Sequence, residues 1–249
     1  MRDSTTATKL LHIASVAFFV GIWWVAAVIV GSEIILPTPL ETIRSLLVII
    51  PSPNFWPSVV ATTTRGLAGF FLSLVLGLMI GILAGLSKTA RILIQPLMIV
   101  CRSTPVMSII LLALIWFETN QVPVFVGFLI AFPVIFANVT EGIKSVDQKL
   151  VDMAHIYKVK KARVVFEVYL PAILPYLIAG ISTAMGVGWK VVIAAEVLSQ
   201  PKYAIGTNMN LEKIFLQTGG VFAWTIVALL LSYISETGIR LLQKKIITW

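Results

Sequence analysis

The chain alternates long apolar runs with shorter polar segments. The apolar runs cover residues 10–31, 60–86, 92–116, 122–139, 172–198 and 221–242. A helix needs about 20 predominantly apolar residues to cross a hydrocarbon core about 30 Å thick. The runs, with flanks that can extend the shortest, therefore predict six transmembrane helices in a single all-α polytopic domain over residues 1–249.

Two amphipathic segments lie outside these runs. "PLETIRSLLVII", after the first run, has the pattern of a short interfacial helix. In the polar insert "DMAHIYKVKKARVVFEVYLP" and just before it, apolar residues recur at i, i+3, i+4 and i+7 in two sets: Leu150, Met153, Ala154 and Tyr157, then Ala162, Val165, Phe166 and Tyr169. This spacing predicts two short helices within residues 147–170, joined through "KVKK" and ended at Pro171.

Composition and charge agree with a membrane protein. Hydrophobic residues make up 58% of the chain and charged residues 12%, far from the usage of soluble domains. With the N-terminus in the cytoplasm, thirteen Lys and Arg residues fall on inside segments and three, Arg44, Lys202 and Lys213, on outside ones. We therefore expect a multi-pass protein of the plasma or inner membrane with both termini cytoplasmic, whose net charge of +8 needs no nucleic acid.

No enzymatic site is indicated. The sequence has no Gly-x-x-x-x-Gly-Lys-Ser/Thr phosphate loop, so ATP hydrolysis is not expected of this chain. It also has no His, Cys or carboxylate cluster with the spacing of a metal or nucleophilic site. We expect no catalytic residue, metal or cofactor in this chain.

The polar insert resembles the cytoplasmic loop of permease subunits of binding-protein-dependent ABC importers. That loop carries Glu-Ala-Ala, a later Gly and Ile-x-Leu-Pro. Asp152 stands for the Glu, Ala154 for the second Ala and Val168 for the Ile, while Leu170 and Pro171 match outright. Whole segments, "LPTPLETI", "RSTPVMSIILLALIWF", "IKSVDQKLVDMA" and "GWKVVIAAEVLS", are similar to the nitrate, sulfonate, taurine and bicarbonate group, which also includes permeases for pyrimidine precursors of thiamine.

The resemblance implies a type I ABC importer (MetI-like) fold with a coupling helix between helices four and five. Its ATPase-coupling residues would be Asp152, Met153, Ala154, Tyr157 and Lys158. Lys158 stands where the family has glycine, so either the turn is made differently or Lys158 accepts a left-handed conformation that costs about 1–2 kcal/mol.

The resemblance also implies partners. These are two cytoplasmic ATP-binding subunits carrying ATP and Mg, an external or periplasmic solute-binding protein, a second permease copy that forms a homodimer, the lipid bilayer and a small-molecule substrate. The small-residue run "GISTAMGVG" makes helix five the candidate centre of that dimer.

Charges within the apolar runs are candidates for the translocation pathway. Arg102, Glu196 and Lys190 are expected to face protein or water, because an isolated charge in hydrocarbon is costly. For Arg102 and Glu196 a pathway or gate and a structural interhelical bond remain open. Lys190 and Glu196 lie about 240° apart around their helix, so they are not expected to pair. Arg65 is expected to be an interfacial anchor.

Two other functions remain open on sequence grounds. One is a secondary transporter or channel that works without an ATPase, and the other is a membrane scaffold. The substrate is not specified by the residues. In such importers an external binding protein does most of the selecting, and Arg102 is compatible with an anion without identifying one.

Overall fold

The computed structural model describes residues 3–246, without the side chains of residues 3–9, 12, 161, 162, 240 and 242–246. The α-helices in this range are α1 Asp3–Val30, α2 Pro39–Ile49, α3 Phe55–Leu86, α4 Lys88–Ser103, α5 Val106–Trp116, α6 Val122–Lys144, α7 Gln148–Ile156, α8 Lys161–Val164, α9 Leu170–Ser199, α10 Ile205–Ile214 and α11 Thr218–Ile246. A π-helical turn, Val165–Tyr169, joins α8 to α9. The residues outside the description include Arg2 and the side chains of Ala162, Lys9, Lys161, Arg240, Lys244 and Lys245, which entered the sequence predictions.

Within the described range, five helices are long and apolar enough to cross a membrane, and α4 with α5 supplies a sixth span if the pair is counted as one. The single helix predicted over residues 92–116 is instead broken, with a bend of 100° between α4 and α5. Pro105 causes the break, because a residue that precedes proline is disfavoured in the helical region. Thr104 accordingly has ψ 126° and ends α4.

The short amphipathic helix predicted after the first run is confirmed as α2. Thr38 caps it by accepting a hydrogen bond at Oγ1 from the Glu41 backbone N–H, at 3.1 Å. Pro39 occupies the first helical position, where its missing N–H costs no hydrogen bond. Pro37, buried just before the cap, accepts a hydrogen bond at its carbonyl from Trp23 Nε1 at 3.0 Å, which ties α2 to α1.

The centre of the bundle is formed by α3, α6 and α9. A row of small residues spaced four apart on α3 lets α6 approach closely: Gly69, Ser73, Gly77, Gly81 and Gly85. A Cβ on Gly77 would lie 2.8 Å from the Ile135 side chain, and one on Gly81 would lie 2.9 Å from Val139. The core therefore depends on backbone proximity between α3 and α6.

The first helix contributes little to this core. Only 6% of the apolar window Ile13–Val30 is buried, and Phe18, Phe19 and Ile29 are mostly exposed. An apolar surface of this kind on a membrane-spanning helix is suited to lipid or to another transmembrane chain. The helix α10, between α9 and α11, was not predicted from the sequence.

Candidate functional site

The helix α7 presents a mixed surface at the N-terminal end of α9. Asp147 caps α7 by accepting a hydrogen bond from the Lys149 backbone N–H at 2.9 Å. Val151 and Ala154 are buried, whereas Ile156 is 78% and Tyr157 77% exposed. One face of α7 thus packs on the protein while the other carries large apolar groups into open space.

The residues predicted for ATPase coupling divide between these faces. Asp152, Met153, Tyr157 and Lys158 are exposed, and the Asp152 carboxylate accepts a hydrogen bond from Gln148 Nε2 at 3.1 Å. Ala154 is buried, so it positions α7 and does not offer a surface to a partner.

The turn after α7 answers the question raised by Lys158. Lys158 adopts φ +52°, in the left-handed region that favours glycine. Its N–H donates to the His155 carbonyl at 3.1 Å, and the Val159 N–H donates to the Ala154 carbonyl at 2.9 Å. These two bonds form a Schellman motif, which satisfies the last carbonyls of the helix. Lys158 therefore takes the conformation that the family's glycine would permit, without a change of turn.

The second predicted short helix does not end at Pro171. The chain passes from α8 through the π-helical turn directly into α9, and Pro171 lies in the first turn of α9. Proline is tolerated there because its missing N–H would have no intrahelical partner in any case, so that prediction is wrong. A cavity of about 490 Å³ opens between α7 and this continuous segment, and it is lined by Met153, Tyr157 and Val168 among others.

A buried polar network lies near the other end of α9. Glu196 is fully buried and pairs with Arg65, whose Nη1 lies 2.8 Å from Glu196 Oε1. The second carboxylate oxygen accepts hydrogen bonds from Thr62 Oγ1 at 2.9 Å and from the Gly206 backbone N–H at 3.2 Å. Thr62 in turn accepts a hydrogen bond from the Ile205 N–H at 3.0 Å. Thr62 and the Glu196 carboxylate thus satisfy the first two N–H groups of α10.

Arg65 extends this network to two loops. Its Nη2 donates to Asn120 Oδ1, before α6, and to the Tyr203 carbonyl, before α10, each at 2.9 Å. The Arg65 side chain is only 11% exposed. The expectation that Arg65 is an interfacial anchor is therefore wrong, because its guanidinium bonds to protein groups on α9 and both loops.

The three pathway candidates are not brought together. In the part of the chain that the structure describes, no hydrogen bond or ion pair joins Arg102, Glu196 and Lys190. Lys190 is exposed on α9, as is Arg102 on α4. Arg102 donates from Nη2 to the Pro133 carbonyl of α6 at 2.9 Å. Glu196 pairs with Arg65 and not with Lys190, in agreement with their predicted separation around the helix.

Comparison with known proteins identifies the family of the chain. The family model described as "Binding-protein-dependent transport system inner membrane component" matches residues 73–248. The chain belongs to this family. It is thus the permease subunit of an ABC importer, a transport component of the membrane and not an enzyme, and the family predicted from the polar insert is confirmed.

Several characterised or named relatives align over most of the permease. The taurine transport system permease protein TauC of Escherichia coli (strain K12) is 29% identical over 248 residues, covering 96% of this chain and 89% of that protein. The putative aliphatic sulfonates transport permease protein SsuC of Bacillus subtilis (strain 168) is 31% identical over 235 residues, covering 94% and 85%. The bicarbonate transport system permease protein CmpB of Synechococcus elongatus is 30% identical over 210 residues, covering 79% and 74%.

A solved structure shares the fold of the permease. It is an inward facing form of the MetNI methionine ABC transporter, with a TM-score of 0.57 and 16% sequence identity, covering 76% of this chain and 97% of that one. The predicted all-α, MetI-like fold is thereby confirmed.

Sequence reasoning missed most of the permease's buried network. Thr62, Asn120 and Gly206 have no distinctive sequence motif. A signal did exist for the ion pair: Arg65 and Glu196 are opposite charges near the same end of two apolar runs. Because an unpaired charge within a membrane-spanning helix is costly, Arg65 and Glu196 could have been predicted as partners.

Proposed function

We propose that this permease forms, with a second copy, the membrane pathway of an ATP-driven importer, and that α7 is its coupling helix. Two cytoplasmic ATPase subunits, carrying ATP and Mg, would each bind one α7. The observation that carries the proposal is the exposed apolar surface of Met153, Ile156 and Tyr157 beside an open cavity at the head of α9. Apolar anchors beside a pocket are typical of protein interfaces.

The continuity of this region with α9 supports a coupling role. No loop separates α8 from the π-helical turn or the turn from α9. Leu170 and Glu196 are 26 residues apart on α9, about 39 Å at 1.5 Å per residue. A displacement of α7 by a closing ATPase would therefore reach the buried network at the far end through α8, the π-helical turn and α9. ATP binding would draw the two coupling helices together and open the pathway outward, and hydrolysis would reset it.

The orientation follows from charge. Segments around α7 and the α3–α4 junction carry most of the loop lysines and arginines, so we place them, with both termini, in the cytoplasm. The network end, with α2 and α10, would then face the external binding protein. Taurine, aliphatic sulfonates and bicarbonate are the substrates in the relatives' names. We propose a small solute with an oxyanion group, such as a sulfonate, as the cargo.

The experiment is co-purification of the permease with its ATPase after substitution on the exposed face of α7. Asp152→Arg combined with Tyr157→Glu should release the ATPase and abolish ATP-dependent uptake, while the thermal stability of the permease stays unchanged. Arg44→Glu, exposed on α2 at the opposite end of the permease, is the matched control and should retain the ATPase. Deletion of residues 152–160 should also release the ATPase, but it removes buried Ala154 and is less selective.

Two results would overturn the proposal. One is undiminished ATPase binding by the α7 double variant. The other is solute transport by the purified permease alone, without ATP, as expected of a secondary transporter or channel.

A further inference from the structure

A basic groove runs between α4 and α6, outside both regions described so far. It encloses a cavity of about 330 Å³, and its polar lining consists of Arg91, Gln95, Arg102, Thr140, Glu141 and Lys144. Lys144 Nζ lies 3.1 Å from Glu141 Oε2, so one of the three cations is paired within the groove. The lining therefore carries an excess of two positive charges.

Both arginines are fixed in place by backbone carbonyls. Arg91 donates from Nε to the Ala84 carbonyl at 3.0 Å and from Nη2 to the Gly85 carbonyl at 3.1 Å, at the end of α3. Arg102 donates from Nη2 to the Pro133 carbonyl. Among the described residues this bond engages one of the five N–H donors of the Arg102 guanidinium. The remaining donors are positioned to receive a ligand with acceptor oxygens.

The position of Arg102 along α6 sets its depth in the membrane. Pro133 lies eleven residues from each end of α6, or about 16 Å from either end at 1.5 Å per residue. With a hydrocarbon core about 30 Å thick, the guanidinium is near the midplane. Arg91 and Lys144 lie about 16 Å away along the two helices, at the end that we place in the cytoplasm. The three cations thus follow the groove from its mouth to mid-membrane.

An exposed arginine at this depth is costly in contact with lipid tails, so the groove is expected to face water or protein. We propose that it faces the translocation pathway and binds a small oxyanion, such as a sulfonate, as a transient binding site for the solute on its way into the cytoplasm. Guanidinium groups suit this ligand because they match the oxygens of an oxyanion with paired donors. The inference rests on the proposed function, since it assumes a water-filled path between two permease copies.

A cysteine reporter within the groove tests the proposal on the full chain in membranes. Cys101→Ser removes the native thiol, and Gln95→Cys introduces one between Arg91 and Arg102 while keeping all three cations. The probes are an anionic and a cationic methanethiosulfonate, the sulfonatoethyl and trimethylammonioethyl reagents. We expect the anionic reagent to react about tenfold faster after correction for intrinsic reactivity. Millimolar ethanesulfonate should slow it.

Two comparisons identify the cause of that preference. In an Arg91→Gln, Arg102→Gln background the rate ratio should fall to about one. At Ser103→Cys, an exposed neighbour that does not line the groove, ethanesulfonate should give no protection. Ile99→Cys, which also lines the groove and keeps all three cations, provides a second reporter closer to Arg102.

Three outcomes would overturn the proposal. Labelling by membrane-permeant N-ethylmaleimide alone would show that the groove faces lipid. Equal rates for the two charged reagents would show that it does not select anions. Protection by added phosphatidylglycerol but not by ethanesulfonate would assign the groove to a lipid head group. ATPase co-purification from the same membranes separates these results from failure of the proposed function, because reporter labelling does not require the ATPase.

Discussion

The two ends of α9 differ in the exposure of their side chains. At its N-terminal end, α7 and the π-helical turn leave Tyr157 and Phe166 mostly exposed. Near its C-terminal end, Glu196 is fully buried and accepts hydrogen bonds from three groups on two other helices. The first end is suited to a partner from outside the chain, whereas the second satisfies its polar groups internally. The proposed coupling would require that the internally bonded end hold its shape while the other is displaced.

The largest effect should come from leaving one charge of the buried pair without its partner. Arg65→Met or Glu196→Leu should each lower the free energy of unfolding by about 3–5 kcal/mol, because the remaining charge is buried uncompensated. The double variant should lose less than the sum of the two single ones. Thermal unfolding in detergent measures this, with exposed Arg44→Met as the control. Losses below about 1 kcal/mol would mean that the network does not stabilise this end.

The core that joins the two ends should be the next most sensitive. Gly77→Ala places a Cβ 2.8 Å from Ile135, and overpacking of this kind typically costs about 1–3 kcal/mol. Gly21→Ala on α1 meets no atom within 4 Å in the described structure and should be neutral or stabilising. The difference in unfolding temperature between the two variants is the measurement. Equal effects would contradict the close packing of α3 on α6.

A smaller effect is expected at the strained turns. Lys158 near α7 and Leu216 after α10 both adopt positive φ, at 52° and 56°. Replacing either by glycine should raise the free energy of unfolding by about 0.5–1 kcal/mol, because strain is relieved while unfolded-state entropy increases. Lys158→Val should lower it, since a β-branched residue tolerates this conformation poorly. A gain with valine would show that the turn is not held in the left-handed region.

The smallest effect concerns Glu212 of α10, which lies against Gly220. Burial raises the pKa of the Glu212 carboxyl above its ordinary value. The folded chain therefore binds this proton more tightly than the unfolded chain, and stability falls as pH rises from the unfolded pKa, about 4.3, through the higher folded pKa. Glu212→Gln should remove that part of the pH dependence of unfolding, while Glu118→Gln, at an exposed loop position, should leave it unchanged. An unaltered profile in Glu212→Gln would exclude the effect.

The broad architecture could be predicted from the sequence because it depends on local patterns. Apolar run length identified the spanning segments, and the spacing of Leu150, Met153, Ala154 and Tyr157 identified α7. Pro105 favours a break in the third run, but the 100° bend depends on how α4 and α5 pack on α6, which periodicity does not contain. Likewise α10 has little periodic signal of its own, and its first N–H groups are satisfied by Thr62 and Glu196 from distant helices.

The site was only partly predictable for the same reason. The spacing places Tyr157 on an apolar face but does not predict that it is exposed while Ala154 of the same face is buried. The burial of Arg65 requires partners that lie more than 130 residues away on α9 and the loop that follows it. The row of small residues on α3 was visible in the sequence at a spacing of four. The sequence does not show which helix packs against this row, and in the structure it is α6.

The π-helical turn at Val165–Tyr169 sets the direction in which α7 lies around the axis of α9. Its Leu170 N–H bonds to the Val165 carbonyl, five residues back, so the turn holds one residue more than an α-helical turn. Each residue of an α-helix advances the chain by about 100° around the axis. Deleting a single residue here would restore regular winding with little change in the direction of α7, whereas winding all of its residues as an α-helix would rotate α7 by roughly that angle about α9. A permease rewound in this way would keep every residue of its docking face and aim it in the wrong direction.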